Sequence, residues 1–153
     1  MARTQEGRPI ARFYQVAASS IEGVMIVLLH KLVEQGRRVC LVAGDARQVR
    51  HLDDLLWRQP PDRFLPHGVW NGADVERQPV LIAERPDDRN GATVAMAVVG
   101  GLVDGSIEFD VVVDFVDAQA PAAARERYRY YQGRDFAMEY WFCSPEGKWI
   151  RKG

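Results

Sequence analysis

GRRVCLVAGDARQVRHLDDLLW, Gly36 to Trp57, decides the fold. Within it, RVCLVAG (Arg38 to Gly44) is a continuous apolar run of strand length. Such a run fits a central strand covered on both faces. Asp45 then stands where a helix N-cap belongs, and Val49, Leu52, Leu55 and Leu56 recur at helical spacing up to Trp57. Gln59-Pro60-Pro61-Asp62 ends that helix, because proline supplies no N–H and clashes with the preceding turn.

Upstream, ARFYQV (Ala11 to Val16) reads as a strand rich in aromatic and β-branched residues. Ser19 or Ser20 is the N-cap expected for a helix from Ile21 to Gln35, stopped at Gly36. That helix is apolar on most of its surface, which predicts cover on more than one side. Downstream, a loop is expected to about Pro79. Strands follow at VLIAER (Val80 to Arg85) and DVVVDFV (Asp110 to Val116), and TVAMAVVG (Thr93 to Gly100) is a strand or a short apolar segment of unassigned type. A last helix starts near Pro121, a good first-turn proline, and stops at Gly133. In the tail, residues 134–153, Trp141, Phe142 and Trp149 call for at least partial packing. Alternating strands and helices in the first half predict an α/β sandwich with a largely parallel sheet.

The chain has 153 residues, the size of one domain spanning 1–153, with residues 1–9 frayed. Apolar residues make up 47% and charged residues 27%, which excludes collagen-like and disordered classes. Twenty basic and 21 acidic residues give a net charge of -1, too little for a protein held on nucleic acid by its overall field. Cys40 and Cys143 are too few for a disulfide scaffold or a tetrahedral zinc site. The first nine residues hold no apolar run like that of a signal peptide, and Val24 to Leu29 is far short of a bilayer span. These features predict a soluble cytoplasmic protein with no membrane contact.

Chemistry is sparse. A phosphate loop would sit at the first strand-helix junction, residues 16–23. That junction has neither the three-glycine pattern nor a lysine to offset phosphate charge. Gly100 to Gly105 reads as a turn, and His30, His51 and His67 have no metal spacing. Cys40, inside a strand, is expected to be an inert core thiol. Asp110, Asp114 and Asp117 flank a strand, with no second cluster to complete a metal site. No nucleophile-base pair stands at recognisable spacing. No catalytic residue, cofactor or metal is expected.

Two features carry more. In ARERYRYYQ (Ala124 to Gln132), Arg125, Tyr128, Arg129 and Gln132 share one helical face. From residue 120 onward there are seven basic against four acidic residues, and elsewhere 13 basic against 17 acidic. Two guanidinium groups beside an aromatic ring suit a carboxylate or phosphate next to an apolar group. The plainer reading is a solvated arginine helix with its tyrosines packed inward. The second feature is Trp57 followed by Phe64 and Pro66 in a proline-punctuated loop. These aromatics either lean on the core or anchor a partner.

FYQV near the start, Gly36 to Trp57, FLPH (Phe64 to His67), VVVDFV (Val111 to Val116) and ARERYRYY (Ala124 to Tyr131) occur in an order and spacing that resemble the chi subunit family of bacterial DNA polymerase III. The resemblance spans roughly residues 11–133. It implies a Rossmann-like three-layer α/β sandwich with no phosphate-binding loop and no catalysis of its own. It also implies two partners and an indirect relation to nucleic acid. One partner is the psi subunit of the clamp loader, met by Trp57, Phe64 and Pro66. The other is the acidic C-terminal tail of single-stranded-DNA-binding protein, met by Arg125, Tyr128 and Arg129 near Val116, with Gln132 where a further cation would be expected. Two other classes stay open: a nucleotide-binding α/β enzyme without the standard loop, and direct binding of single-stranded nucleic acid by the Arg/Tyr helix.

Overall fold

The computed structural model describes residues 7–17, 20–98, 102–144, 146 and 148–153. Strand β1 (Ile10–Val16) is followed by helix α1 (Ile21–Glu34), β2 (Val39–Val42) and α2 (Ala46–Trp57). Then come β3 (His67–Val69), β4 (Val80–Ala83), β5 (Val94–Ala97), β6 (Val111–Asp117), α3 (Pro121–Gln132), β7 (Ala137–Cys143) and β8 (Trp149–Arg151). One eight-stranded sheet runs β3-β4-β2-β5-β6-β1-β7-β8. Among the described residues every pairing is parallel except β7 with β8.

The apolar run that decides the fold is β2, fully buried between β4 and β5. Its side chains alternate between two separate cores, as the period of a strand requires. Val39 and Leu41 join Met25 and Leu29 of α1 and Leu52 and Leu56 of α2 on one face. Cys40 and Val42 join the core on the other face, with Phe13, Val112, Val116, Ala124 and Tyr131. Helices on both faces of one mixed sheet make a three-layer, Rossmann-like α/β sandwich.

Local signals set the helix ends. Asp45 caps α2, its carboxylate accepting from Gln48 N at 2.8 Å, a cap typically worth about 1 kcal/mol. Gly36 (φ +79°) closes α1: its N–H donates to Val33 O and that of Arg37 to Leu32 O. This is the Schellman pattern that a left-handed residue permits. Ser20 is the N-cap of α1 but makes no side-chain cap bond. Ser19 lies outside the described residues, as do 1–6 of the expected frayed end and the Gly100-Gly101 pair.

Three regions differ from expectation. Only Ile21, Met25 and Leu29 of α1 are buried, while Val27 is 47% exposed, so the helix is covered on one side rather than several. Between α2 and β4, where a plain loop is expected, three residues form edge strand β3 against β4. Part of the tail joins the sheet: β7 lies parallel to β1, and β8 folds back antiparallel on β7.

Cys40 is completely buried, and burial pushes its thiol up to about 12. Cys143 is half-buried. Because the thiolate is the reactive form, a disulfide reagent added to native protein is expected to titrate Cys143 alone. Cys40 should react only on unfolding, and prompt labelling of both would contradict this packing.

Candidate functional site

The elements bring together some of the expected residues and separate others. Helix α1, which follows β1, packs on one face of the sheet, and α3, which follows the neighbouring strand β6, packs on the other. Two adjacent parallel strands whose connections leave in opposite directions open a crevice at their carboxyl ends. A cavity of about 500 Å³ lies there. Val116 and Gln15 line its floor, Arg125 and Tyr128 of α3 one wall, and Tyr140 and Lys152 its far side.

Tyr128 is half-buried and leans on Phe13, ring centroids 5.4 Å apart. Val116 is buried beneath. Tyr140 donates its hydroxyl to Gln15 Oε1 at 2.6 Å. Arg125 is exposed, and among the described residues no carboxylate lies within ion-pair distance of it. Among the described residues no acidic side chain lines the cavity, and Gly153 lines it beside Lys152. A guanidinium, a phenol ring and a valine around one hollow can accept a carboxylate with an adjoining apolar group.

Arg129 and Gln132, on the same helical face, are exposed and lie outside this lining. α3 begins at the crevice and runs back from the carboxyl ends of the strands, so its later turns leave the lining. Tyr131 faces inward instead, fully buried, its hydroxyl accepting from Val103 N at 3.1 Å.

Sequence reasoning missed what fixes α3 in place. Asp114 points from β6 toward α3, its side chain only 2% exposed, and Arg127 grips it with Nε at 2.7 Å from Oδ2 and Nη2 at 3.0 Å from Oδ1. Burial pushes the Asp114 carboxyl above its ordinary value, and Arg127 opposes that push. A lone acid inside VVVDFV, 13 residues before an arginine on the next helix, was the available signal. Lys152 and Tyr140 were also missed.

The second expected patch forms at the β3 edge, on the α2 face. Trp57 ends α2 with 62% exposure, a high value for so large an apolar side chain. Phe64 is half-buried and Pro66 exposed. Trp57 and Phe64 have ring centroids 5.2 Å apart, and His67 lies 5.0 and 5.6 Å from them. His67 joins this cluster although its position after Pro66 suggested only a loop. Its Nδ1 is 2.8 Å from Leu65 O. Asp53 Oδ1 is 3.1 Å from its Nε2, within ion-pair range but off the line of a hydrogen bond. The histidine thus props the two rings from behind.

Among the described residues no group of three or more His, Cys, Asp or Glu side chains is placed to hold a metal, and no helix is long and apolar enough to cross a membrane.

The fold and these surfaces define an α/β sandwich protein with a cation-walled hollow at a topological switch point and an exposed aromatic cluster at one sheet edge. Residues 9–139 match the family described as DNA polymerase III chi subunit, HolC. The chain belongs to that family. It is 28% identical over 125 residues to the DNA polymerase III subunit chi of Escherichia coli (strain K12), covering 78% of this chain and 84% of that protein. It is 25% identical over 142 residues to the subunit chi of Haemophilus influenzae (strain ATCC 51907 / DSM 11121 / KW20 / Rd), covering 89% and 95%.

Proposed function

We propose that the chain is a non-catalytic accessory subunit of DNA polymerase III. In this reading it joins the psi subunit of the clamp loader to the acidic C-terminal tail of single-stranded-DNA-binding protein. The observation that carries the tail contact is the hollow over Val116, with the Arg125 guanidinium at its wall and the Tyr128 ring inside. The terminal carboxylate of a peptide pairs with Arg125, and its last apolar side chain lies against Tyr128 and Val116.

A charge-assisted hydrogen bond contributes about 1.5–3 kcal/mol. Burying the apolar side chain adds a comparable amount, about 1.5–3 kcal/mol. After the cost of ordering the peptide, binding in the roughly micromolar range follows. It weakens as salt rises, because the attraction is between exposed charges.

The test is fluorescence anisotropy of a labelled acidic peptide ending in an apolar residue. Arg125→Ala should weaken binding about tenfold or more. Equal affinity in the variant would remove this site from the reading. Bare single-stranded DNA and ATP serve as the contrasting probes. Tighter binding of either than of the peptide would favour a nucleic-acid or nucleotide function instead.

A further inference from the structure

We infer that the groove between α1 and the β7–β8 hairpin takes single-stranded nucleic acid: one unstacked base against its aromatic rings, with the neighbouring phosphates on Lys31 and Arg151. This goes beyond the reading above and does not depend on it, because the groove and the hollow over Val116 lie on opposite faces of the sheet. Trp141 and Trp149, which build one side of the groove, lie beyond residues 9–139, the part of the chain that matches the family.

The groove follows from the connection between β1 and β2. β2 lies on the β5 side of β1, so α1 crosses away from β7 and β8. A cavity of about 250 Å³ opens there, with Leu28, Lys31 and Leu32 of α1 as one wall and Trp141 and Trp149 as the other. Register sets the floor. Phe115, Tyr14, Trp141 and Arg151 stand in one row across β6, β1, β7 and β8. Val113, Arg12 and Glu139 form the next row, two residues away on the same face. Trp149 reaches over β7 to meet Tyr14 edge-on, ring centroids 5.2 Å apart.

The charge pattern names the occupant. Glu139, the acid beside this floor, is already engaged: Arg12 Nε and Trp141 Nε1 both donate to its Oε1 at 3.0 Å. Lys31 and Arg151 are exposed, and among the described residues neither has a carboxylate within ion-pair distance. Among the described residues no acidic side chain lines the groove. A wholly apolar partner would strand these cations without water or a counter-charge. A single strand supplies both parts, a π-face on every base and a phosphate on every link, and aromatic grooves flanked by cations hold it in this way. The volume lies below the range of about 300–1,000 Å³ that larger ligands occupy, so the groove takes one base and not a stacked row.

The test is quenching of tryptophan emission by oligo-dT, in a Trp57→Phe/Trp70→Phe variant so that Trp141 and Trp149 alone emit. Binding is expected at the weak end of about 10⁻⁴–10⁻⁶ M, the usual range for sequence-independent contact, and so weaker than that of the acidic peptide. An abasic strand of the same length and charge binds about tenfold less, because it has no ring to stack. Trp149→Ala costs a similar factor, with a thermal melt to check that the hairpin remains folded. Lys31→Gln changes only an exposed side chain. It weakens binding about 2- to 5-fold and lowers the slope of log affinity against log salt by about 0.7, one phosphate's share on a single strand. Arg129→Ala, on the other face, leaves binding unchanged, and the acidic peptide does not displace the strand.

Four results overturn the inference: no quenching by oligo-dT, equal affinity for the abasic strand, an unchanged salt slope in Lys31→Gln, or displacement of the strand by the acidic peptide. Loss of binding in Arg129→Ala with Lys31→Gln unaffected would move the nucleic-acid contact to α3. If a peptide rich in acidic and aromatic residues quenches the same emission at lower concentration than oligo-dT, the groove docks a protein instead. Failure of the acidic peptide to bind at all counts against the reading of the hollow alone.

Discussion

Replacing Arg127 by alanine is expected to cost about 3–5 kcal/mol of folding stability at neutral pH, the penalty for leaving a buried charge without its partner. Asp114 is the group left behind, with almost no contact with water. The sign of the pH dependence follows from its titration. Burial raises the Asp114 carboxyl, so the fold binds that proton more readily than the unfolded chain does. A raised carboxyl favours the fold at low pH, and this contribution is lost as pH rises through the native value. Removing Arg127 raises it further. The deficit of Arg127→Ala should therefore shrink between neutral pH and about pH 5. Denaturant titrations at both pH values check this. A deficit under about 1 kcal/mol at neutral pH, or one that grows on acidification, would contradict the assignment.

The double variant Asp114→Leu/Arg127→Met removes both charges and should recover most of the loss, because well-packed apolar substitutes often match a buried ion pair. The pair then serves to specify where α3 docks more than to add stability. It joins β6 to α3 directly beneath the hollow's wall, so a shift of α3 would move Arg125 and Tyr128 together.

Trp57→Ala is expected to weaken retention of the psi subunit by about 2 kcal/mol or more, roughly 30-fold in affinity. Its own fold should barely change, because the indole is already mostly in water. Phe64→Ala should act in the same direction, with a small stability cost, since Phe64 is half-buried against Trp57 and His67. Co-purification with tagged psi reads this out. Full yield with both variants folded would place the psi contact elsewhere.

Legibility in the sequence followed burial. VCLV of β2 and the VVVDFV run of β6 announce themselves because both faces of those strands are covered, leaving few polar residues to blur the pattern. β3 escaped because three residues at a sheet edge, one of them Gly68, carry no period. Arg125 and Tyr128 were within reach because a helical face is a local feature, while Val116 entered only through the family resemblance. Arg129 and Gln132 share that face yet fall outside the hollow, since helical spacing does not say where the crevice stops. Tyr140 and Lys152 come together only through the register of the β7–β8 hairpin, and Asp114 meets Arg127 only through the docking of α3. Neither could be read from local pattern alone.

The aromatic cluster lies at the β3 edge on the α2 face, while the hollow opens over β6, β1 and β7 on the α3 face. Surfaces so arranged can be occupied together, and two modest contacts then reinforce each other through effective concentration. Size-exclusion chromatography with light scattering, on this protein mixed with psi and single-stranded-DNA-binding protein, tests the account most directly. One species containing all three is expected, losing only psi with Trp57→Ala and only the single-stranded-DNA-binding protein with Arg125→Ala. Mutual displacement of the two partners, or a ternary species indifferent to both substitutions, would contradict it.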